Sequence, residues 1–223
     1  MWDFFREFYY MNLLLPIVTL VSIIYGLYNY RKLDLLKIFI FYSIISLSQG
    51  ISALSLISID NDLKVYGSHV VFMLNIFVII EFIVIYIFLY QIIQSKRVKQ
   101  GMKISSILFL LISIYTWIWE GGILNNPSEI SIIEAFLITI PVLYYFVECL
   151  SNLTYSKITD NPNFWVNIGL LFLFTLNMPL FLVNTLFPFM LLGSIYIMNY
   201  VAYIVLYLFL TYAYLCKVKL VQS

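Results

Sequence analysis

Charge is scarce in this chain. Only 10% of the 223 residues are Asp, Glu, Lys or Arg, against about 25% in an ordinary soluble domain. Apolar residues make up 63%, against roughly 45–50% in such a domain. Too little polar surface remains to face water on all sides, which excludes an ordinary soluble globule. Histidine is nearly missing: His69 stands alone, so neither an HExxH pair nor any two-histidine metal site exists. Cysteine is limited to Cys149 and Cys216. Both fall near predicted cytoplasmic helix ends, where a reducing environment disfavours a disulfide, and with no matching histidines they make no zinc site. They read as packing thiols. No glycine-rich phosphate loop and no nucleophile-elbow serine occurs. Enzymes built on the common soluble motifs are therefore not expected, and the sequence calls for no cofactor.

Long hydrophobic runs are what the chain does have. About 20 mainly apolar residues cross a hydrocarbon core of about 30 Å. Seven segments qualify: Met11–Tyr28, Leu35–Ser58, Val70–Ile93, Ile104–Trp119, Ile130–Leu150, Phe164–Val183 and Phe189–Cys216. The loops between them are too short for a folded extramembrane domain. The expected fold is all-α: a single polytopic bundle of seven transmembrane helices over residues 1–223. The start, "MWDFFREFYY", lacks the positive n-region and the small-residue cleavage site of a secretory signal, so the first helix is expected to stay.

Charge polarity orients the bundle. Arg31, Lys32, Lys37, Lys96, Arg97, Lys99, Lys103, Lys157, Lys217 and Lys219 fall on one side, leaving Arg6 and Lys64 opposite. Asp3, Glu7, Asp60, Asp62, Glu120 and Glu129 gather with those two. Basic loops face the cytoplasm, which puts the N-terminus outside and the C-terminus inside, as an odd number of crossings requires. The basic rim fits topology and anionic headgroups rather than nucleic acid. Trp117 and Trp119 fit an interfacial aromatic belt.

Within the spans, polar residues are few and stand out. "VFMLNIFVIIEFIVIYIFLY" (71–90) carries one full charge, Glu81, roughly 16 Å below the outer boundary at ~1.5 Å per residue. Ser46 and Gln49 of the second helix, Ser22 of the first, and Asn199 and Tyr200 of the seventh fall at about 12–17 Å. Asn177 and Thr175 lie slightly nearer the outside. No Lys, Arg or His occupies the middle of any span. A charge at the bilayer centre costs ~2.5–3.5 kcal/mol on insertion scales, so an intramembrane acid marks a functional site by default. The bland alternative is a neutral Glu81 bonded to Gln49 or Asn199 as interhelical glue. The candidate ligand-binding residues are thus Glu81, Gln49, Asn177, Asn199, Ser46 and Tyr200, with no catalytic or metal-binding set. Glu134, one turn inside the fifth helix, and Glu148, near its inner end, read as snorkelling or rim residues. Pro16, Pro141 and Pro179 remove helix hydrogen bonds and are potential kinks.

The run "NPNFWVNIGLLFLFTLNMPLFLV" (161–183) resembles a pattern in small bacterial seven-helix membrane proteins and in the seven-helix membrane modules of some histidine kinases. Asn161, Pro162, Phe164 and Trp165 match the opening of the sixth helix there, and Asn199 matches a later asparagine. The likeness covers the last third of the chain and brings no catalytic residues with it. It implies a sensory or accessory module of a bacterial cytoplasmic (inner) membrane. Because this chain ends soon after the seventh helix, output is expected to pass through a separate membrane subunit such as a histidine kinase. Physically, Asn161 also suits a helix cap and Pro162 a first turn.

Three functions follow as expectations. The first is a receptor-like or accessory signalling module, binding a ligand or partner within the bilayer. The second is a small proton- or cation-coupled transporter using Glu81. The third, an intramembrane lipid-modifying enzyme with Glu81 or Glu134 as general acid or base, lacks a second acid clustered at the depth of Glu81.

Overall fold

The structure, a computed structural model, describes residues 2–29, 34–59, 63–119, 128–151, 158–186 and 192–216. Side chains at 2–13, 34, 52–70, 128, 184 and 192–196 fall outside the description. The sequence readings at Arg31, Lys32, Asp60, Asp62, Glu120, Lys157, Lys217 and Lys219 thus lie outside the described residues, and those at Asp3, Arg6, Glu7, Lys64 and His69 fall on side chains outside the description.

Every described element is helical. α1 (Trp2–Tyr28), α2 (Lys37–Ile59), α3 (Leu63–Ile92), α4 (Lys96–Trp119), α5 (Ser128–Ser151), α6 (Pro162–Leu186) and α7 (Leu192–Leu215) follow one another, with 3-10 turns at Asp34–Leu36 and Ile158–Asp160. Five of these helices are long and apolar enough to cross a membrane: Val71–Ile92, Lys96–Trp119, Glu129–Ser151, Pro162–Val183 and Ile197–Leu215. The described apolar stretches of the first two, Leu14–Tyr28 and Lys37–Ile51, are shorter. α4 begins at Lys96 rather than Ile104, since the Lys- and Arg-bearing turn is made of good helix formers and continues the helix into the polar rim.

Neighbouring helices close a ring in the order α1, α2, α3, α5, α6, α7 and back to α1, while α4 packs outside against α3 and α5. Two glycines allow the closest approaches. A Cβ on Gly26 would lie 2.8 Å from Ile40 Cγ1 and 3.1 Å from the Tyr214 ring, where α1, α2 and α7 meet. One on Gly169 would lie 3.0 Å from Leu206 Cδ1, between α6 and α7. α4 docks through stacked rings: Phe82 lies 3.9 Å from Phe109 and 4.2 Å from Tyr86, centroid to centroid. The other side of α4, including Ile104, Ile107, Leu111 and Ile118, is exposed, as suits contact with lipid tails. Trp117 does not simply lie in an aromatic belt. It is half-buried, and its Nε1 donates to Asn75 Oδ1 on α3 at 3.3 Å, whereas Trp119 is 73% exposed.

Backbone groups released by the sequence find partners. Pro141 has no N–H to give to the Leu137 carbonyl one turn back, and the Tyr86 hydroxyl donates to that carbonyl at 3.3 Å. Asn161 caps α6: its Oδ1 accepts the Asn163 N–H at 2.9 Å, and its Nδ2 donates to the Tyr145 hydroxyl at 3.0 Å. Trp165 Nε1 donates to the Thr159 carbonyl at 2.8 Å, and its ring packs on Phe209 and Tyr212 of α7. The conspicuous Asn-Pro-Asn-Phe-Trp run thus has a complete structural explanation.

Candidate site at the paired carboxylates

Glu81 comes from a turn of α3 that faces the ring interior and is 2% exposed. Its two oxygens are held separately. Tyr42 of α2 donates to Oε1 at 2.6 Å, and Tyr203 of α7 donates to Oε2 at 2.9 Å. The first is as short as a bond to a charged acceptor, and the second is of ordinary length. They tie three helices, α2, α3 and α7, to one carboxyl group. Around them the rings form a wall: Tyr42 lies 5.8 Å from Phe77 and 6.2 Å from Tyr207, and Phe77 lies 6.4 Å from Tyr203.

A second acid joins from α5. Glu134 is also 2% exposed, and it lies close enough to feel the charge of Glu81. Tyr203 feels both carboxylates. The snorkelling expected of Glu134 is therefore corrected. One turn from a helix end is near water in depth, but the α5 face carrying Glu134 also carries Ile130, Ala135, Ile138 and Val142, all of which point inward. Glu134 Oε1 is buried with no hydrogen-bond partner among the described residues. The absence of a second acid near Glu81, expected from depth alone, is corrected by the same observation. Glu148 lies near the C-terminal end of α5 and is engaged rather than free: its two oxygens accept the backbone N–H groups of Gln94 and Ser95 at 2.8 and 2.9 Å.

Beyond Tyr42 lies a group of hydroxyls. Tyr207 is fully buried, with Ser46, Tyr42 and Thr19 around its hydroxyl. None of them meets strict hydrogen-bond geometry with it, so these groups are adjacent rather than bonded. Thr19 instead donates to the Leu15 carbonyl at 2.8 Å. Ser22 Oγ, Asn177 Oδ1 and Asn199 Oδ1 are buried acceptors without a partner.

Of the residues singled out in the sequence, Glu81 is at the centre and Ser46 at its edge, reached through Tyr207. Asn177 and Asn199 are inward but outside the bonds to Glu81, and Gln49 and Tyr200 are half-buried, also outside those bonds. The partners of Glu81 are Tyr42 and Tyr203 rather than Gln49 or Asn199. Tyr42 and Tyr203 do not stand out in the sequence, because nineteen tyrosines are spread along the chain and membrane tyrosines usually mark interfaces. A usable signal was present: Tyr203 and Tyr207 are one turn apart, as are Tyr42 and Ser46, and i, i+4 pairs share a helix face.

The basic residues whose side chains are described, Lys37, Lys96, Arg97, Lys99 and Lys103, all lie in the opening turns of α2 and α4. Among the described residues no group of three or more His, Cys, Asp or Glu could hold a metal ion. What the arrangement offers is two carboxylates, two donors fixed on one of them, and one oxygen left open. Compared with protein-family models, curated proteins and solved structures, the chain matches none.

Proposed function

We propose that this chain is a small proton-coupled carrier of the bacterial cytoplasmic membrane, exchanging a proton for a monovalent cation at Glu81 and Glu134. In this reading it crosses the bilayer seven times, with the N-terminus outside and the C-terminus cytoplasmic. The lengths of α1 and α2 support the two further crossings: 27 and 23 residues extend about 40 and 35 Å at ~1.5 Å rise, and both are needed to close the ring.

One observation carries the functional reading. Two buried carboxylates share an electrostatic field in a ring interior to which no described basic residue is brought. Like charges so placed cannot both stay ionised cheaply, so the pair is balanced by one proton or one small cation. Tyr42 and Tyr203 favour the charge on Glu81, and the balancing proton or cation is shared between Glu81 and Glu134. An anionic substrate finds no partner among these groups. Exchange one for one keeps the interior charge constant, which is why a pair suits the task better than a lone acid.

The test is reconstitution in vesicles with an entrapped pH-sensitive dye, followed by an external pulse of sodium or potassium. Wild-type protein should release protons from the lumen, and Glu81→Gln should abolish the response. Equal responses from the two proteins would overturn the proposal.

A second reading, the receptor-like accessory module, draws on the position of α4. It stands outside the ring with a broad apolar side unpacked, where a separate membrane subunit such as a histidine kinase has room to sit. Protonation of the same pair would then be relayed rather than used for exchange. Cation-independent dye traces, together with a partner's activity that follows Glu81→Gln, would favour this reading over the carrier.

A further inference from the structure

The opening turns of α4 carry four positive charges, Lys96, Arg97, Lys99 and Lys103. Two of them converge on one ring: Lys99 Nζ lies 5.0 Å and Lys103 Nζ 5.5 Å from the centroid of Tyr90 on α3. Two ammonium groups over one ring concentrate positive charge that the ring quadrupole offsets only in part, which favours an anion beside them. The nearby acid does not fill that role, since both oxygens of Glu148 are taken by the N–H groups of Gln94 and Ser95. At the start of α4 the Val98 N–H is directed to Ser95 Oγ at 3.5 Å and the Lys99 N–H to the Ser95 carbonyl at 3.1 Å. What is unanswered is therefore the lysine pair itself.

Its setting specifies the anion's source. Lys99, Lys103, Ile107, Leu111 and Ile114 recur at helical spacing along one stripe of α4, and the last three are exposed by 59%, 58% and 49%. Two cations at the foot of an exposed apolar stripe match a headgroup phosphate with acyl chains below it. We propose that Lys99, Lys103 and Tyr90 form a binding site for the phosphate of one anionic phospholipid, whose tails lie along Ile107 and Leu111. The site is independent of the Glu81 reading and depends only on the helix meeting a bilayer. Tyr90 places the two ammonium groups, and Lys96 and Arg97, outside its reach, contribute only general field.

Retention of phosphatidylglycerol against phosphatidylcholine by the purified full chain, read by native mass spectrometry from detergent, tests this. Wild type should keep one phosphatidylglycerol and discard phosphatidylcholine. K99Q/K103Q should weaken that retention by about tenfold or more, because it removes both direct contacts to the phosphate charge. K96Q/R97Q removes the same net charge and should retain the lipid within about twofold. Equal losses in the two double variants would reduce the effect to bulk charge and overturn the site. So would equal retention of the two lipids by wild type. Saturable binding of inorganic phosphate in lipid-free detergent, lost in K99Q/K103Q, would overturn the assignment to a phospholipid.

Discussion

The two ends of the polar inventory behave differently. Around Asn161, Trp165 and Glu148, polar side chains are used on backbone: they cap α6, tie Thr159 down and hold the Gln94 and Ser95 amides at the bend before α4. Around Glu81 they are used on one another. Tyr42 and Tyr203 point at a carboxylate, Glu134 adds a second charge, and several buried oxygens have no partner. Among the described residues, the first region leaves a single buried side-chain oxygen, Asn167 Oδ1, without a partner. The second carries unmet polar groups that a structural role alone does not explain, since buried polar groups are normally satisfied. That contrast is the reason for placing function in the ring interior rather than at the more conspicuous Asn-Pro-Asn-Phe-Trp sequence.

Substitutions in the two regions should separate accordingly. The largest effect is functional: Glu81→Gln should silence cation-driven proton release, while Glu148→Gln, which keeps one acceptor for the bend, should leave it within about twofold, the size of a lost surface charge effect. Equal effects at these two glutamates would erase the distinction. Next comes Tyr42→Phe, which strips one donor from a buried charged acceptor. It should cost about 1.5–3 kcal/mol of stability, read as a lower unfolding midpoint in detergent, with the loss reduced when Glu81→Gln is also present. Additive losses would mean that the 2.6 Å contact contributes little. The smallest is Asn161→Ala, a lost cap worth about 1 kcal/mol, which should lower the midpoint without altering proton release. A change in release there would bring the capped end into the mechanism.

Much of the architecture was legible because it is local. Seven apolar runs give seven helices, and Asn161 before Pro162 reads as a cap from two residues. Glu81 was legible for a related reason: the energetic penalty of a mid-run acid belongs to its own position, whatever surrounds it. The ring order was not legible. Helices apolar on all sides lack the stripe that would say which face turns inward, so α4 could not be told apart as the peripheral one. For the same reason the inward direction of Glu134 is not readable from its sequence position, nor is the place of Gln49, Asn199 and Tyr200 outside the bonds to Glu81. Tyr42 and Tyr203 meet Glu81 across 39 and 122 residues of sequence. No single-helix argument reaches that far.

The most direct measurement is infrared difference spectroscopy of the reconstituted protein through a pH titration, following the carbonyl stretch of protonated carboxyl groups. One exchangeable band should be present, shift in Glu81→Gln and in Glu134→Gln alone, and vanish when both are replaced, while Glu148→Gln leaves it in place. A band that survives the double replacement, or no such band in the wild type, would contradict a proton shared between Glu81 and Glu134.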